Sequence, residues 1–166
     1  MVQATKKPLI AVNHLEGHAL VPRLCATMAD GTNGNVHVQF PYLLMLASGG
    51  HCQILLERGV GKYEMIGQTL DDSAGEAYDK VAKMLGLGYP GGPVVDKRAQ
   101  SGNPYAFAFP RPLCDKPGCD FSFSGIKTAA RTFLDRTDAP YDEKYINDFC
   151  ASFQASVVDC IINRLN

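Results

Sequence analysis

Two histidines four residues apart are the first residues whose types and spacing suggest chemistry. His14 and His18 fall in a segment predicted to be helical, where an i, i+4 pair shares one face and both imidazoles can reach one metal ion. In metalloproteases with the H-E-x-x-H motif the glutamate directly follows the first histidine, whereas here Glu16 comes two residues after it. The spacing permits a metal site and disfavours a zinc-protease mechanism, and ordinary surface or core histidines are the alternative.

A glycine-rich turn is the second candidate. Ser48-Gly49-Gly50-His51 follows a continuous apolar run at 42–47. Because glycine has no Cβ, backbone N–H groups in such a turn can approach a phosphate and form an anion-binding nest. A plain hairpin turn is the alternative. The chain has no G-x-x-x-x-G-K-[ST] motif and no G-x-G-x-x-G motif after a strand, so it lacks the sequence marks of a P-loop and of a Rossmann dinucleotide site.

A third candidate is Asp79, which lies on the polar face of a predicted helix with Glu76 and Lys83. An aspartate there can accept hydrogen bonds from the sugar hydroxyls of a nucleotide, or it can form an i, i+4 ion pair with Lys83. Gly91 and Gly92 stand between two prolines, in a predicted stiff loop whose backbone can lie against a base or ribose, or can simply turn a corner. Spacing alone does not separate these interpretations.

The elements that position these residues predict an α/β fold. Strands are predicted at 8–12, 42–47, 53–58 and 63–69. Helices are predicted at 13–28, 73–85, from 94 to about 101, at 122–136 after a short strand-like start, and at 142–165. The last three strands are joined by glycine turns and predict an antiparallel meander, and the apolar run 42–47 predicts a strand covered on both faces. Pro22 is expected to break the first helix, Asp71 or Asp72 to cap the second, and 103–120 to form a long loop.

Composition places the chain among globular proteins. The 166 residues are 46% hydrophobic and 20% charged, enough for one domain with a hydrophobic core, and no apolar run is long enough for a membrane span. The net charge of -1 lacks the basic excess of a dedicated nucleic-acid binder. Six cysteines without a signal-peptide pattern predict free thiols in a reducing compartment, and the Cys114–Cys119 spacing is longer than that of usual zinc sites.

Five sequence blocks, in this order, resemble those of the TsaD family, also known as the glycoprotease family, and the resemblance covers nearly the whole chain. They are Asn13-His-Leu-Glu-Gly-His18, Ala47-Ser-Gly-Gly-His51, Leu70-Asp-Asp-Ser-Ala-Gly-Glu-Ala-Tyr-Asp-Lys80, Tyr89-Pro-Gly-Gly-Pro93 and Phe121-Ser-Phe-Ser-Gly-Ile-Lys127. The resemblance implies part of an actin-like, sugar-kinase-like ATPase fold (ASKHA, ribonuclease-H-like), mainly its second lobe. Residues 1–38 would end the first lobe, and 39–166 would form a second lobe that is incomplete at its C-terminus.

The resemblance also implies an activity and the residues that serve it. Members transfer the threonylcarbamoyl group from threonylcarbamoyl-AMP to N6 of the tRNA adenosine beside the anticodon. The positions that match the family's metal ligands, for one divalent iron or zinc ion, are His14 and His18. Those that match its phosphate-binding strand and turn are Leu46, Ala47, Ser48, Gly49 and Gly50, and those that match its nucleoside contacts are Asp79, Gly92 and Asp96. No catalytic residue is implied.

Further expectations follow from the same resemblance. The partners would be tRNA and subunits of the TsaB and TsaE type, and ATP or ADP are possible ligands. No membrane is expected to be involved, and self-association is possible. The location would be the bacterial cytoplasm or, alternatively, the mitochondrion. Family members carry further segments on both sides, including an aspartate that completes the metal site, so residues 1–166 alone are expected to be inactive and to hold a metal loosely. The alternatives are a metallopeptidase of the glycoprotease family and a non-catalytic module that binds a nucleotide or partner.

Overall fold

The computed structural model describes residues 8–23, 26–27, 33–34, 38–137 and 139–166, and the side chains of 26–27 and 33–34 are not described. The chain divides into two compact units, Met1–Leu44 with Leu55–Glu64, and Met45–Ile54 with Met65–Asn166. The elements are strands and helices in α/β arrangement. Within the described ranges, no helix has the length and apolar character needed to cross a membrane. The lobe boundary at 38/39 stays a prediction.

The predicted meander is present. Strands β3 (Tyr42–Ala47), β4 (Cys52–Gly59) and β5 (Lys62–Gln68) form a three-stranded antiparallel sheet in that order. The central strand β4 is the most buried, as its neighbours on both sides require. The prediction that 42–47 is covered on both faces is wrong, because this strand lies at the edge of the described sheet and Leu43 is 58% exposed.

The first predicted strand is also wrong. Residues 8–13 have no regular secondary structure, and Asn13 instead caps helix α1 (His14–Leu20) by accepting hydrogen bonds from the Leu15 and Glu16 amides at 2.8 and 3.4 Å. Helix α1 ends before Pro22, as expected, in a 3-10 turn. The predicted continuation to residue 28 lies partly outside the described residues, where β1 (Ala26–Thr27) pairs antiparallel with β2 (Asn33–Gly34).

Four helices follow the sheet: α2 (Ala74–Met84), α3 (Gly91–Ala99), α4 (Ser124–Asp135) and α5 (Glu143–Leu165). Three of them begin and end within about two residues of prediction. Helix α3 begins at Gly91 instead of Val94, so the predicted stiff loop at 89–93 is in part the first turn of a helix. An aromatic core buries Phe109, Phe121, Phe123, Phe149 and Phe153 between the loop at 103–120 and the helices α4 and α5.

The cap of helix α2 is Ser73, not Asp71 or Asp72. Its hydroxyl accepts from the Glu76 amide at 3.2 Å while the Glu76 carboxylate accepts from the Ser73 amide at 3.3 Å, which is a capping box. The helix ends in a Schellman motif, where the Leu87 amide donates to the Ala82 carbonyl at 2.9 Å. The carboxylates of these two aspartates bind groups about 50 residues later in the sequence. Asp71 accepts a hydrogen bond from the Phe123 amide, and Asp72 forms an ion pair with Lys127.

Residues 103–120 form the predicted long loop, and the loop is tied to helix α5. Polar side chains at successive turns of this helix bond to the loop backbone: Asp148 to the Asn103 amide, Ser152 to the Phe107 amide, Ser156 to the Pro110 carbonyl and Arg164 to the Lys116 and Gly118 carbonyls. An irregular segment in a compact unit must satisfy its backbone groups in some such way. The loop is therefore ordered without secondary structure of its own.

Candidate functional site

The turn between β3 and β4 is organised around the side chain of Ser48. Its hydroxyl accepts hydrogen bonds from the Gly50 amide at 3.3 Å and the His51 amide at 3.0 Å, and its own amide donates to the His51 carbonyl at 2.8 Å. Three of the four amides are thus bonded inside the turn. Among the described residues only the Gly49 amide of this turn has no partner, so the anion-binding nest is smaller than the sequence suggested.

The N-terminus of helix α2 is docked on this turn. The Ser73 hydroxyl donates to the Gly49 carbonyl at 2.7 Å, and the Gly75 amide donates to the Ser48 carbonyl at 3.3 Å. A Cβ on Gly75 would lie 2.7 Å from the Gly49 Cα, so only glycine permits this approach. The arrangement brings the positive end of the helix dipole to the turn, where it favours a negatively charged group.

Helix α3 begins against helix α2. The half-buried carboxylate of Asp79 accepts a hydrogen bond from the Gly91 amide at 2.7 Å and so caps helix α3 from the neighbouring helix. A Cβ on Gly91 would meet the Asp79 Cα at 2.6 Å, whereas a Cβ on Gly92 would meet nothing within 4 Å. The two adjacent glycines therefore differ: Gly91 is needed for close packing, and Gly92 leaves open space beside the helix.

That open space belongs to a cleft of about 470 Å³ within the second unit. Residues from the turn, from helices α2 and α3 and from helix α5 line it: Ala47, Ser48, Gly49, Gly75, Tyr78, Gly92, Asp96, Gln154 and Val158. The Gly92 amide, like that of Gly49, has no hydrogen-bond partner among the described residues. Two residues with free backbone amides, an exposed aspartate and apolar side chains thus line one cavity, a combination that suits a polar ligand with an anionic end and a flat apolar part.

The two histidines of helix α1 lie together in the first unit. Both rings are exposed, and their Nε2 atoms are 3.2 Å apart. Two nitrogens at about 2.0–2.1 Å from one tetrahedral zinc ion are about 3.3 Å apart, so the pair fits one metal ion. Across the described part of the chain, no cluster of three or more His, Cys, Asp or Glu side chains is present.

Comparison with known proteins assigns the family. The family model for TsaD, tRNA N6-adenosine threonylcarbamoyltransferase, matches residues 1–166. The chain belongs to the TsaD family. Proteins named tRNA N6-adenosine threonylcarbamoyltransferase from Rhodospirillum rubrum and Anaplasma phagocytophilum are 56% and 53% identical over 99% and 98% of this chain. The chain spans 43% and 44% of the lengths of these two relatives.

The structure brings together five of the eight residues that the TsaD resemblance assigns to the substrate: Ala47, Ser48, Gly49, Gly92 and Asp96. Leu46 does not line the cleft, because consecutive strand residues point to opposite faces and Ala47 faces it. Gly50 does not line the cleft either, and its amide donates to the Ser48 hydroxyl inside the hairpin turn. Asp79 lines a separate cavity of about 600 Å³ with Lys80, Lys83 and Tyr89, and reaches the cleft only through the start of helix α3. The substrate roles of all eight stay predictions.

The alternative role for Asp79, a surface ion pair with Lys83, is not among the contacts of the described residues. The Asp79 carboxylate bonds to Gly91, while Lys80 pairs with Glu76 at 3.3 Å and with Asp72 at 2.7 Å. Of the two i, i+4 pairs that helical spacing allows here, Glu76–Lys80 is thus present.

Sequence reasoning missed four cleft residues of this TsaD chain: Gly75, Tyr78, Gln154 and Val158. The Tyr78 ring packs edge-on against Phe153, as an ordinary residue of the apolar helix face would. A signal was available at Gln154, since it is a lone amide directly after the buried Phe153 in a helix face that is otherwise apolar.

Glu16 influences two other ionisable groups of the first unit. Burial, followed by the Glu16 carboxylate, raises the pKa of Tyr63 to about 12. Glu57, fully buried in the same unit, has a raised pKa because of burial and the nearby Glu16 charge. Glu16 also stands two residues after His14, whereas the general base of the H-E-x-x-H mechanism directly follows the first histidine.

Proposed function

We propose that this chain is the central part of an enzyme that transfers the threonylcarbamoyl group from threonylcarbamoyl-AMP to N6 of the tRNA adenosine beside the anticodon. The observation that carries the proposal is the cleft that Asp96 lines together with Gly49 and Gly92, whose amides have no hydrogen-bond partner among the described residues. The names of relatives at 56% and 53% identity support the same reaction. The fold of the whole protein would be the actin-like, sugar-kinase-like ATPase fold, of which this chain forms mainly the second lobe.

The charges around the cleft suggest how the adenylate lies in it. Its phosphate would sit at the Ser48–Gly49 turn, because the dipole of helix α2 and the free Gly49 amide both favour negative charge there. The start of helix α3 already holds the Asp79 carboxylate, which disfavours a second anion at that point. The nucleoside would therefore lie toward Gly92 and Asp96, and Asp96 would accept a hydrogen bond from it.

In the transfer step the N6 amine of the tRNA adenosine forms a bond with the carbamoyl carbon, the bond from that carbon to the phosphate oxygen breaks, and AMP leaves while the amine loses a proton. The cleft contributes by positioning: a phosphate held at the Gly49 amide and the end of helix α2 fixes the leaving group and stabilises the charge it gains. No side chain of this chain is assigned as the proton acceptor.

His14 and His18 would hold one divalent metal ion, iron or zinc, and their 3.2 Å nitrogen separation supports this. Such an ion supplies Lewis-acid chemistry when bound, by polarising an oxygen of the substrate. Two imidazoles leave coordination positions for a further ligand and for the substrate.

The partners would be tRNA and subunits of the TsaB and TsaE type, because the net charge of -1 offers no strong general attraction for RNA. Since the relatives named above are bacterial, the site of action would be the bacterial cytoplasm.

The experiment that tests the proposal uses the complete gene product. AMP and ADP are titrated by calorimetry into the wild type and into the variants Gly92→Leu and Gly59→Ala, and modified tRNA nucleosides are measured by mass spectrometry with the partner subunits present. Gly92→Leu should fill the cleft and weaken AMP at least about tenfold, which corresponds to about 1.4 kcal/mol.

Gly59→Ala is the control because its Cβ would lie 3.6 Å from the Lys62 side chain, an ordinary contact, and Gly59 does not line the cleft. It should leave both AMP binding and transfer unchanged. A wild type that binds no adenine nucleotide and modifies no tRNA would contradict the proposal. Nucleotide binding without transfer would instead support the non-catalytic module.

A further inference from the structure

Helix α5 contributes Gln154 to the cleft, and this residue joins two others. The Tyr78 hydroxyl donates to Gln154 Oε1 at 3.3 Å, and Gln154 Nε2 donates to Asp96 Oδ1 at 3.0 Å. The three residues come from three different helices, α2, α5 and α3, and all three line the cleft. A series of hydrogen bonds between side chains fixes the relative positions of groups that the backbone alone leaves free.

The direction of this chain of hydrogen bonds follows from the chemistry of its ends. A carboxylate only accepts, so the amide nitrogen of Gln154 must face Asp96, and the amide oxygen is then left for Tyr78, which must donate. Tyr78 is held by its edge-on packing against Phe153, with ring centroids 5.0 Å apart. Burial, and then the Asp96 charge, raise the pKa of Tyr78 to about 12, so its hydroxyl keeps the donated proton at neutral pH.

The consequence is that Asp96 is oriented before any ligand arrives. Gln154 donates to one carboxylate oxygen of Asp96, and Gln100 donates to the other oxygen over a longer distance, 3.3 Å. Asp96 is exposed. Asp96 also lies four residues after Gly92, one helical turn further along the same side of helix α3, where the missing side chain leaves open space. Lone pairs of the carboxylate thus remain for a donor in the cleft.

We infer that Gln154, fixed by Tyr78, is a positioning residue that orients the Asp96 carboxylate to accept a hydrogen bond from a ribose hydroxyl of the bound nucleoside. The inference rests on the proposed function, because it presumes that an adenylate occupies the cleft. Gln154 acts through Asp96, and a carboxylate held in advance loses less freedom on binding than a mobile one.

The test compares affinities for AMP, 2′-deoxy-AMP and 3′-deoxy-AMP in the complete gene product. The variants are Gln154→Met, which conserves volume and removes the amide, and Tyr78→Phe, which removes one hydroxyl. Gln53→Met is the matched control, since Gln53 is also half-buried but lies in β4 and does not line the cleft.

The wild type and Gln53→Met should bind AMP about tenfold more tightly than one of the deoxy analogues, as expected for a hydrogen bond to a charged group. In Gln154→Met this ratio should fall to about twofold, with affinity for that analogue unchanged, and Tyr78→Phe should lie between. General damage to the fold would weaken all three ligands equally and leave the ratio intact.

Two results overturn the inference alone: a wild type that binds AMP but does not distinguish either deoxy analogue, and a Gln154→Met variant that keeps the wild-type ratio or loses affinity for all three ligands equally. A wild type that binds no adenylate at all would instead contradict the proposed function.

Discussion

The cleft and the histidine pair differ in how firmly the fold holds them. In the cleft, Ser48 and Asp96 are bonded by groups that the surrounding elements supply, and beside it Asp79 is bonded to the start of helix α3. The rings of His14 and His18 are exposed on a helix of seven residues, whose N-terminus is held by the side chain of Asn13. Among the described residues, the polar contact of each ring is with the other.

This difference separates two ways of building a site. The cleft is organised by protein contacts, so its shape is set before a ligand binds and is paid for in folding. The histidine pair is organised by helical spacing alone, so its final geometry depends on the ion that it binds. Substitutions that break a bond or a close contact of the first region should therefore change stability together with binding, and substitutions in the second should change binding only.

The largest loss of stability is expected from Gly91→Ala. The added Cβ would lie 2.6 Å from the Asp79 Cα, and backbone cannot yield as a side chain can. Forcing helices α2 and α3 apart should lower the free energy of unfolding by about 2–3 kcal/mol, measured by chemical denaturation. The adjacent Gly92→Ala is the control and should be neutral or slightly stabilising. Equal effects at the two glycines would show that the close approach does not exist.

A smaller loss is expected from Asp71→Ala. The carboxylate accepts four hydrogen bonds, from the amides of Phe123 and Ser124 and the hydroxyls of Ser122 and Ser124. Removing it should cost about 1.5 kcal/mol, at the low end for charged groups because the residue is exposed and solvent screens it.

The same residue predicts a pH dependence. Burial alone would raise the pKa of Asp71, but hydrogen bonds from Ser122, Ser124 and Phe123 outweigh it and hold the pKa below 3.8. A carboxyl with a lowered pKa in the folded state stabilises the protein above pH 3.8 and loses that contribution as the pH falls below it. The wild type and Asp71→Ala should therefore converge in stability in acid. A constant difference down to pH 3 would contradict this account.

Asp79→Ala should cost about 1 kcal/mol, the usual value of a lost helix cap, because the Gly91 amide loses its acceptor. Asp79→Asn keeps an acceptor oxygen and should recover most of the loss in thermal unfolding. If alanine and asparagine are equally destabilising, the charge and not the cap matters.

The smallest effect on stability is expected at the histidine pair. His14→Ala and His18→Ala should each change the free energy of unfolding by less than about 0.5 kcal/mol, as exposed positions usually do. Each should nevertheless weaken Zn²⁺ binding at least about tenfold in calorimetric titration, because one imidazole of the chelating pair is lost. His51→Ala, at an exposed histidine outside the pair, should leave the Zn²⁺ affinity unchanged. Unaltered affinity in the paired variants would remove the metal site.

Much of the local structure could be predicted because the signals lie close in sequence. The strand at Tyr42–Ala47 is an apolar run closed by Ser-Gly-Gly, and the helix at Ala74–Met84 has a clear apolar stripe and a glycine after its end. The antiparallel pairing of the three strands follows from the short glycine turns that join them. The strand expected at 8–12 failed because apolar residues alone do not supply a pairing partner.

The remaining features depend on contacts between distant segments. Asp71, Asp72 and Ser73 are all good helix caps, and the choice of Ser73 is decided by what binds Asp71 and Asp72 from residues 122–127. A helix start at Gly-Gly-Pro contradicts local propensity, and the carboxylate of Asp79 makes it possible. Tyr78 and Gln154 were missed for the same reason, since each looks ordinary within its own helix and their bond spans 76 positions.

The ties between the 103–120 loop and helix α5 have a consequence for limited proteolysis. A surface loop without secondary structure is a usual site of cleavage, yet here Asn103, Phe107 and Pro110 are each bonded to the helix. On the other side of the segment, Arg164 bonds to Lys116 and Gly118. A protease that cuts between these anchors would leave two fragments joined without a covalent bond, so they should separate on a denaturing gel and stay together in a sizing column.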